Sequence, residues 1–273
     1  MPEIAEVETV RRTLTRMVLN KKIVYVKVLY EGILESNLDD FKKGLINSSF
    51  IDIKRKGKWL IFELEDKYLL SHLRMEGKFF VKNKNDAINK HEHIIIGFND
   101  NTELRYHDTR KFGKMKLIKK DELEETECIK KQGIEANDKV NLNGLYLYNL
   151  IRNRNIPMKT LLLDQTIISG LGNIYADEVL FDALVYPLKK GSEVTIHECN
   201  SICASSIKII DKAMEFGGTT IKSYTSSLGV TGRFQQYLMV HKRENEKCFI
   251  CGTVIKRIKV GGRSTYYCEK CQK

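Results

Sequence analysis

Apolar residues recur at spacings of three and four from the beginning of the chain. Ile4, Val7, Val10, Leu14 and Met17 predict one amphipathic helix from residue 3 to about residue 18. From Lys22 to about Lys119 the pattern changes to short β-rich runs at 23–30, 49–55, 59–65, 68–73, 78–81, 93–98, 103–107 and 114–118. Eight such runs with polar turns predict an antiparallel sandwich or barrel. Residues 120–142 are polar and read as a connection. Helical spacing returns over 145–154, 159–166 and 174–183, with Ser169-Gly170-Leu171-Gly172 as a sharp break before the last. Ile196, Cys199, Cys203, Ile207, Ile210 and Met214 then predict one long helix stopped by Gly217-Gly218, and they make Cys199 and Cys203 core residues rather than ligands. Residues 217–233 are rich in Gly, Ser and Thr without a period, the pattern of a long loop that covers a site. There is no internal repeat. The fold class is therefore α+β, in two main parts.

Charge narrows the partners. The net charge is +11, and residues 241–273 hold nine Lys/Arg against three Asp/Glu, so over half of the excess is local. A localised basic surface suits a polyanion, most simply nucleic acid. No apolar run approaches the ~18 residues of a membrane span, no basic amphipathic helix suggests a membrane surface, and no signal-peptide pattern opens the sequence. An odd count of seven cysteines points to a reducing cytosol rather than a disulfide scaffold.

Four of those cysteines are grouped. Cys248-x-x-Cys251 and Cys268-x-x-Cys271 stand sixteen residues apart, the spacing with which the ends of a β-hairpin close four thiolates around one Zn²⁺. Four protein ligands leave no open position, so the metal is expected to be structural. The intervening Lys256, Arg257, Lys259 and Gly261-Gly262-Arg263 make a basic hairpin tip in which Arg263 can meet phosphate.

The chain opens Met1-Pro2-Glu3. Trimming of the methionine leaves Pro2 with a free secondary amine, and α-amino groups titrate near about 8 and lower when buried. Attack by that amine on a sugar carbon gives an iminium with no N–H to lose, a permanent electron sink. Glu3 would sit within reach of whatever bonds to Pro2. Alone, the dipeptide reads more readily as an ordinary helix start, where proline and glutamate are favoured.

Several motifs together resolve that choice. Pro2-Glu3, the turn Arg55-Lys56-Gly57-Lys58, the run His72 to Gly77, Asp108-Thr109-Arg110-Lys111-Phe112-Gly113, Leu161 to Gln165, Gly170 to Tyr175 and the four-cysteine finger recur in one family. The chain resembles, nearly end to end, bacterial formamidopyrimidine-DNA glycosylase, the 8-oxoguanine repair enzyme related to endonuclease VIII. The resemblance implies an N-terminal helix and β-sandwich domain (1–130), a helical helix-two-turns-helix domain with a lesion-capping loop (131–240), and a zinc finger (241–273). It implies a bifunctional glycosylase and AP lyase of base excision repair, acting as a monomer on double-stranded DNA that carries oxidised purines or abasic sites. The expected setting is the bacterial cytoplasm, nucleoid-associated through DNA.

In that scheme Pro2 is the nucleophile, Glu3 the acid/base serving the sugar, Lys58 the aid to β-elimination and Arg263 the aid to δ-elimination. On charge alone Lys58 could be one more phosphate-facing cation. Flipping a base leaves a hole. Met75, Arg110 and Phe112 match the residues that fill it, though their places near strand ends alone would make Met75 and Phe112 core. His72, His91, Arg110, Arg154 and Asn173 match DNA contacts, with Lys58 and Arg263 also facing phosphate. Glu76 and the loop Thr219, Thr220, Ile221, Lys222, Ser223 and Tyr224 match lesion recognition. The sequence departs from the family's usual pattern at Ala5 (proline), Trp59 (tyrosine or phenylalanine) and His241-Lys242 (Tyr-Gly). Two other readings explain fewer features. An endonuclease VIII-like enzyme for oxidised pyrimidines is disfavoured by the long loop and the Arg110/Phe112 pair. A non-catalytic zinc-ribbon binder leaves Pro2-Glu3 without a role.

Overall fold

The computed structural model describes residues 1–219 and 232–273. The chain forms two compact units. One is Met1–Lys130 with Gly217–Arg233, the other Lys131–Phe216 with Phe234–Lys273. No helix among the described residues is long and apolar enough to cross a membrane.

The first unit opens with α1 (Ile4–Val18), whose N-cap is Glu3. Ile4, Val7, Val10, Leu14 and Val18 are buried along it. The stripe thus ends on Val18, one turn beyond Leu14, and the expected Met17 is only partly buried. The strands are β1 (Ile23–Val28), β2 (Asp52–Lys56), β3 (Trp59–Glu63), β4 (Lys67–His72), β5 (Lys78–Asn83), β6 (Glu92–Phe98), β7 (Thr102–His107) and β8 (Lys114–Lys119). They form two antiparallel four-stranded sheets, in the orders β1-β6-β7-β5 and β2-β3-β4-β8. Both sheets contribute to one core, through residues such as Ile96, Leu104 and Tyr106 from the first and Ile53, Phe62 and Leu69 from the second. Of the two expected architectures, the sandwich is the one formed.

Two helices in this unit, α2 (Leu38–Leu45) and the short one at 127–130, escaped the pattern. α2 buries only Phe41 and Leu45, too few points to show a period. Its start is set by Asn37, whose side chain accepts from the N–H groups of Asp39 and Asp40. The outer face of the second sheet carries Trp59, Ile61, Leu70 and Ile118, covered by Ile129 of α3 (Glu127–Lys130). The polar stretch 120–142 is therefore partly a lid on that sheet and not only a connection.

The second unit contains β9 (Ile134–Glu135), α4 (Gly144–Ile151), α5 (Met158–Leu163), β10 (Ile168–Ser169), α6 (Asn173–Asp182), α7 (Ile196–Glu215) and the hairpin β11 (Lys256–Val260) with β12 (Arg263–Tyr267). β9 and β10 pair in parallel. α7 starts at a capping box in which Glu198 N–H donates to Thr195 Oγ1 (3.2 Å) and Thr195 N–H to Glu198 Oε2 (2.8 Å). Cys199 and Cys203 are buried on it, as the spacing predicts. Gly217 and Gly218 stop it with φ of +72° and +78°, backbone that favours glycine.

Candidate active site

The chain start is the centre of the first unit. Pro2 and Glu3 are buried. Glu3 N–H donates to Glu6 Oε2 (2.9 Å), and Val7 N–H to the Glu3 carbonyl (3.0 Å), so the helix cap holds Glu3 in place. Burial pulls the terminal amine, here on Met1, below its ordinary 8.0. Glu3 and Glu6 oppose that, Lys58 reinforces it, and Glu76 opposes it again.

Lys58 belongs to a two-residue turn. Lys56 pairs with Trp59 across β2 and β3, and Gly57 takes φ +56°. Although it lies in a hairpin turn, Lys58 is only 5% exposed. Opposite Trp59 in the next strand stands His72, with ring centroids 4.9 Å apart and the rings edge to face. His72 Nδ1 accepts the Arg74 N–H (3.0 Å). Burial, with Arg74 and Lys58 adding to it, lowers His72 to about 3, so its imidazole is neutral and its remaining nitrogen is a donor at neutral pH.

Two turns matter here, one after β4 and one between β7 and β8. Met75, half-buried, follows Arg74, whose φ is +52°; Phe112 follows Lys111, whose φ is +57°. Phe112 is 51% exposed, and the Arg110 guanidinium lies 4.7 Å from its ring centre. Neither Met75 nor Phe112 is a core residue, which removes the reading their strand-end positions suggested. Glu76 accepts from the Thr109 hydroxyl, linking the two turns. His91 is half-buried, its ring 5.5 Å from that of His107. Thr219 donates from its N–H (2.7 Å) and hydroxyl (3.1 Å) to Glu6 Oε1. Glu6 thereby links Glu3 to Thr219. Thr220, Ile221, Lys222, Ser223 and Tyr224 lie outside the described residues.

The second unit brings a different set together. Gln165 staples the turn before α6, donating to the Leu163 and Leu171 carbonyls (both 2.9 Å) and accepting from Gly170 N–H (2.9 Å). Asn173 opens α6, and its Nδ2 donates to the Ser264 carbonyl of β12 (2.9 Å). Its Oδ1 is buried without a hydrogen-bond partner among the described residues. Arg263, beside the Gly261-Gly262 tip, and Arg154 are exposed. The sulfur atoms of Cys248, Cys251, Cys268 and Cys271 all lie within 4.8 Å of one another, with Cys251 and Cys268 3.4 Å apart. Zn–S bonds of about 2.3 Å in a tetrahedron put sulfurs about 3.8 Å apart, so the four thiolates fit one zinc ion.

Three family models cover this chain. They are the formamidopyrimidine-DNA glycosylase N-terminal domain over residues 1–115, the H2TH domain of the same enzyme over 133–225, and the zinc finger found in FPG and IleRS over 245–273. The chain belongs to the formamidopyrimidine-DNA glycosylase family. It is 44% identical to the formamidopyrimidine-DNA glycosylase of Ligilactobacillus salivarius and 38% to that of Streptococcus pneumoniae R6, each over all of this chain and 99% of the relative. Among solved structures, Lactococcus lactis Fpg with N7-benzyl-Fapy-dG DNA matches at TM-score 0.94, 37% identity and full coverage of both chains. The same protein with abasic-site DNA matches at 0.93 and 37%, over 99% of each chain.

The departures from the family's usual residues have local accounts. Ala5 is wholly buried in α1, and Trp59 packs on His72. His241 Nδ1 lies 2.6 Å from Asp177 Oδ2, in a cluster that sequence reading missed. Lys159, fully buried, pairs with Asp177 Oδ1 (2.6 Å) and donates to the Asn173 carbonyl (2.8 Å). Glu178 accepts N–H groups from Met239 (2.7 Å), Val240 (3.0 Å) and His241 (2.8 Å). The available signal was an Asp-Glu pair inside an otherwise apolar helix, Tyr175 to Phe181.

Proposed function

We propose that this chain is a bifunctional formamidopyrimidine-DNA glycosylase and AP lyase of base excision repair. Its partner is double-stranded DNA with oxidised purines or abasic sites, its working form a monomer in the bacterial cytoplasm, at the nucleoid through DNA. The observation that carries the reading is the buried chain start, where the amine is held below its ordinary value beside Glu3 and Lys58.

The chemistry follows from those groups. The unprotonated Pro2 nitrogen bonds to C1′ as the bond from C1′ to the damaged base breaks, the base leaving with the electron pair. Glu3 takes the N–H proton of Pro2 and passes it to the sugar ring oxygen as the ring opens to the iminium. The iminium draws electron density from C2′, whose proton is lost as the 3′ phosphate departs, and Lys58 assists this β-elimination. A second proton loss expels the 5′ phosphate, with Arg263 serving the δ-elimination, and water releases Pro2. His72, His91, Arg154 and Asn173 serve as DNA contacts, Arg263 and Lys58 as phosphate partners, and Met75, Arg110 and Phe112 as the filling of the vacated space. Glu76 and residues 219–224 read the lesion. Cys248, Cys251, Cys268 and Cys271 hold one zinc ion that takes no part in bond making. The three-part division at 130/131 and 240/241 is the functional organisation this reading assigns.

Borohydride trapping on an 8-oxoguanine duplex tests the reading. A covalent adduct is expected, with weaker trapping on a thymine glycol duplex. Tight binding without adduct or nicking would leave only a zinc-finger binder, and a strong preference for thymine glycol would make the enzyme endonuclease VIII-like.

A further inference from the structure

The turn that carries Arg110 and Phe112 is closed around one buried carboxylate. Asp108 has no exposed surface. Its Oδ1 accepts the Arg110 N–H (2.9 Å), and its Oδ2 accepts the Gly113 N–H (2.9 Å) and the Tyr106 hydroxyl (3.4 Å). Its own backbone is held at both ends, N–H to the His91 carbonyl (2.9 Å) and carbonyl to His93 Nε2 (2.8 Å). The Tyr106 hydroxyl also sits where a Cβ on Gly77 or on Gly113 would overlap it, so the turns bearing Met75 and Phe112 both close down on the same oxygen. The Thr109–Glu76 bond joins them again on the outside.

We infer that Asp108, with Tyr106 beneath it, is a positioning residue that sets the Arg110–Phe112 turn in its wedge form before DNA arrives. A wedge has to displace stacked bases, and a turn that first had to order itself would lose part of that drive to its own chain entropy. A carboxylate that accepts N–H groups from both ends of residues 109–112 has already ordered them. The burden falls on steps that unstack a base. It falls least where the base is already gone.

This inference rests on the glycosylase reading above, and its test separates the two. Asp108→Asn keeps the shape but turns one oxygen into an N–H₂ group that faces a donor. Its kcat/KM on an 8-oxoguanine duplex should fall about tenfold, while nicking of a preformed abasic site falls by no more than about twofold. Tyr106→Phe, which removes one hydroxyl, should show the same split on a smaller scale and covers the case in which Asp108→Asn does not fold. Equal losses on the two substrates, or no loss on either, would overturn the assignment of Asp108. A parent enzyme that never forms the borohydride adduct would instead overturn the glycosylase reading.

Discussion

The chain start of the first unit and α6 of the second treat buried charge in opposite ways. At the chain start of the first unit, burial and neighbouring cations push groups out of their charged forms. The amine falls below its usual value, and His72 drops to about 3 beside Arg74 and Lys58. On α6 of the second unit, buried charges are matched. Lys159 meets Asp177, His241 meets the same carboxylate, and Glu178, which burial pushes upward, is met by three backbone N–H groups. The first arrangement favours the uncharged form of the amine and leaves His72 a neutral donor. The second fastens the entrance of the finger to α6. Desolvation is common to both, so the difference lies in how fully neighbouring partners offset it.

The contrast is broken most directly at Pro2. Pro2→Gly with Met1 retained should abolish the borohydride adduct altogether, and an undiminished adduct would move the nucleophile elsewhere. Zinc is the next largest effect, since structural zinc contributes on the order of 10 kcal/mol to small metal-held folds. Metal analysis should find one zinc per chain, and Cys248→Ser should lose it together with DNA affinity while the first unit stays folded. Full-rate nicking by metal-free protein would show that the finger is dispensable.

Lys159→Met probes the matched side. It strips one cation from a buried carboxylate, and thermal unfolding should register a loss of about 3–5 kcal/mol. A loss below about 1 kcal/mol would mean that Asp177 is compensated by other groups. His72 probes the mismatched side. Its folded value near 3 lies below the ordinary 6.5, so between those values the unfolded chain takes up the extra proton. The stability that depends on a neutral His72 is complete above pH 6.5 and is lost as pH falls toward 3. His72→Phe should flatten that acid limb by about 2 kcal/mol or more in denaturant titrations run across the window. An unchanged limb would place the titrating group elsewhere.

Much of this was legible in the residue order because the signals are local. A helix shows its face every three to four residues, a strand every two, and two CxxC pairs bring their own geometry. The eight strands of the first unit, the long helix with Cys199 and Cys203 inside, and the zinc ligands all follow from near neighbours in the chain. α2 did not, because Phe41 and Leu45 are its only buried residues. Met17 and Val18 differ by one position, closer than a period can resolve.

Tertiary structure decided what depends on distant partners. Phe112 reads as core from its place beside a strand and is exposed, on a turn whose Arg110 and Gly113 N–H groups meet Asp108. Lys58, which charge alone does not separate from its neighbouring cations, is buried and acts on the charge of the chain start. Glu6 joins the first helix to Thr219, 213 residues away. Residue type sets what a group can donate, accept or coordinate, and spacing sets the element that carries it. Whether an amine loses its proton or a carboxylate finds three donors depends on solvent exclusion and on charges brought up from far along the chain, and these exist only once the chain has folded.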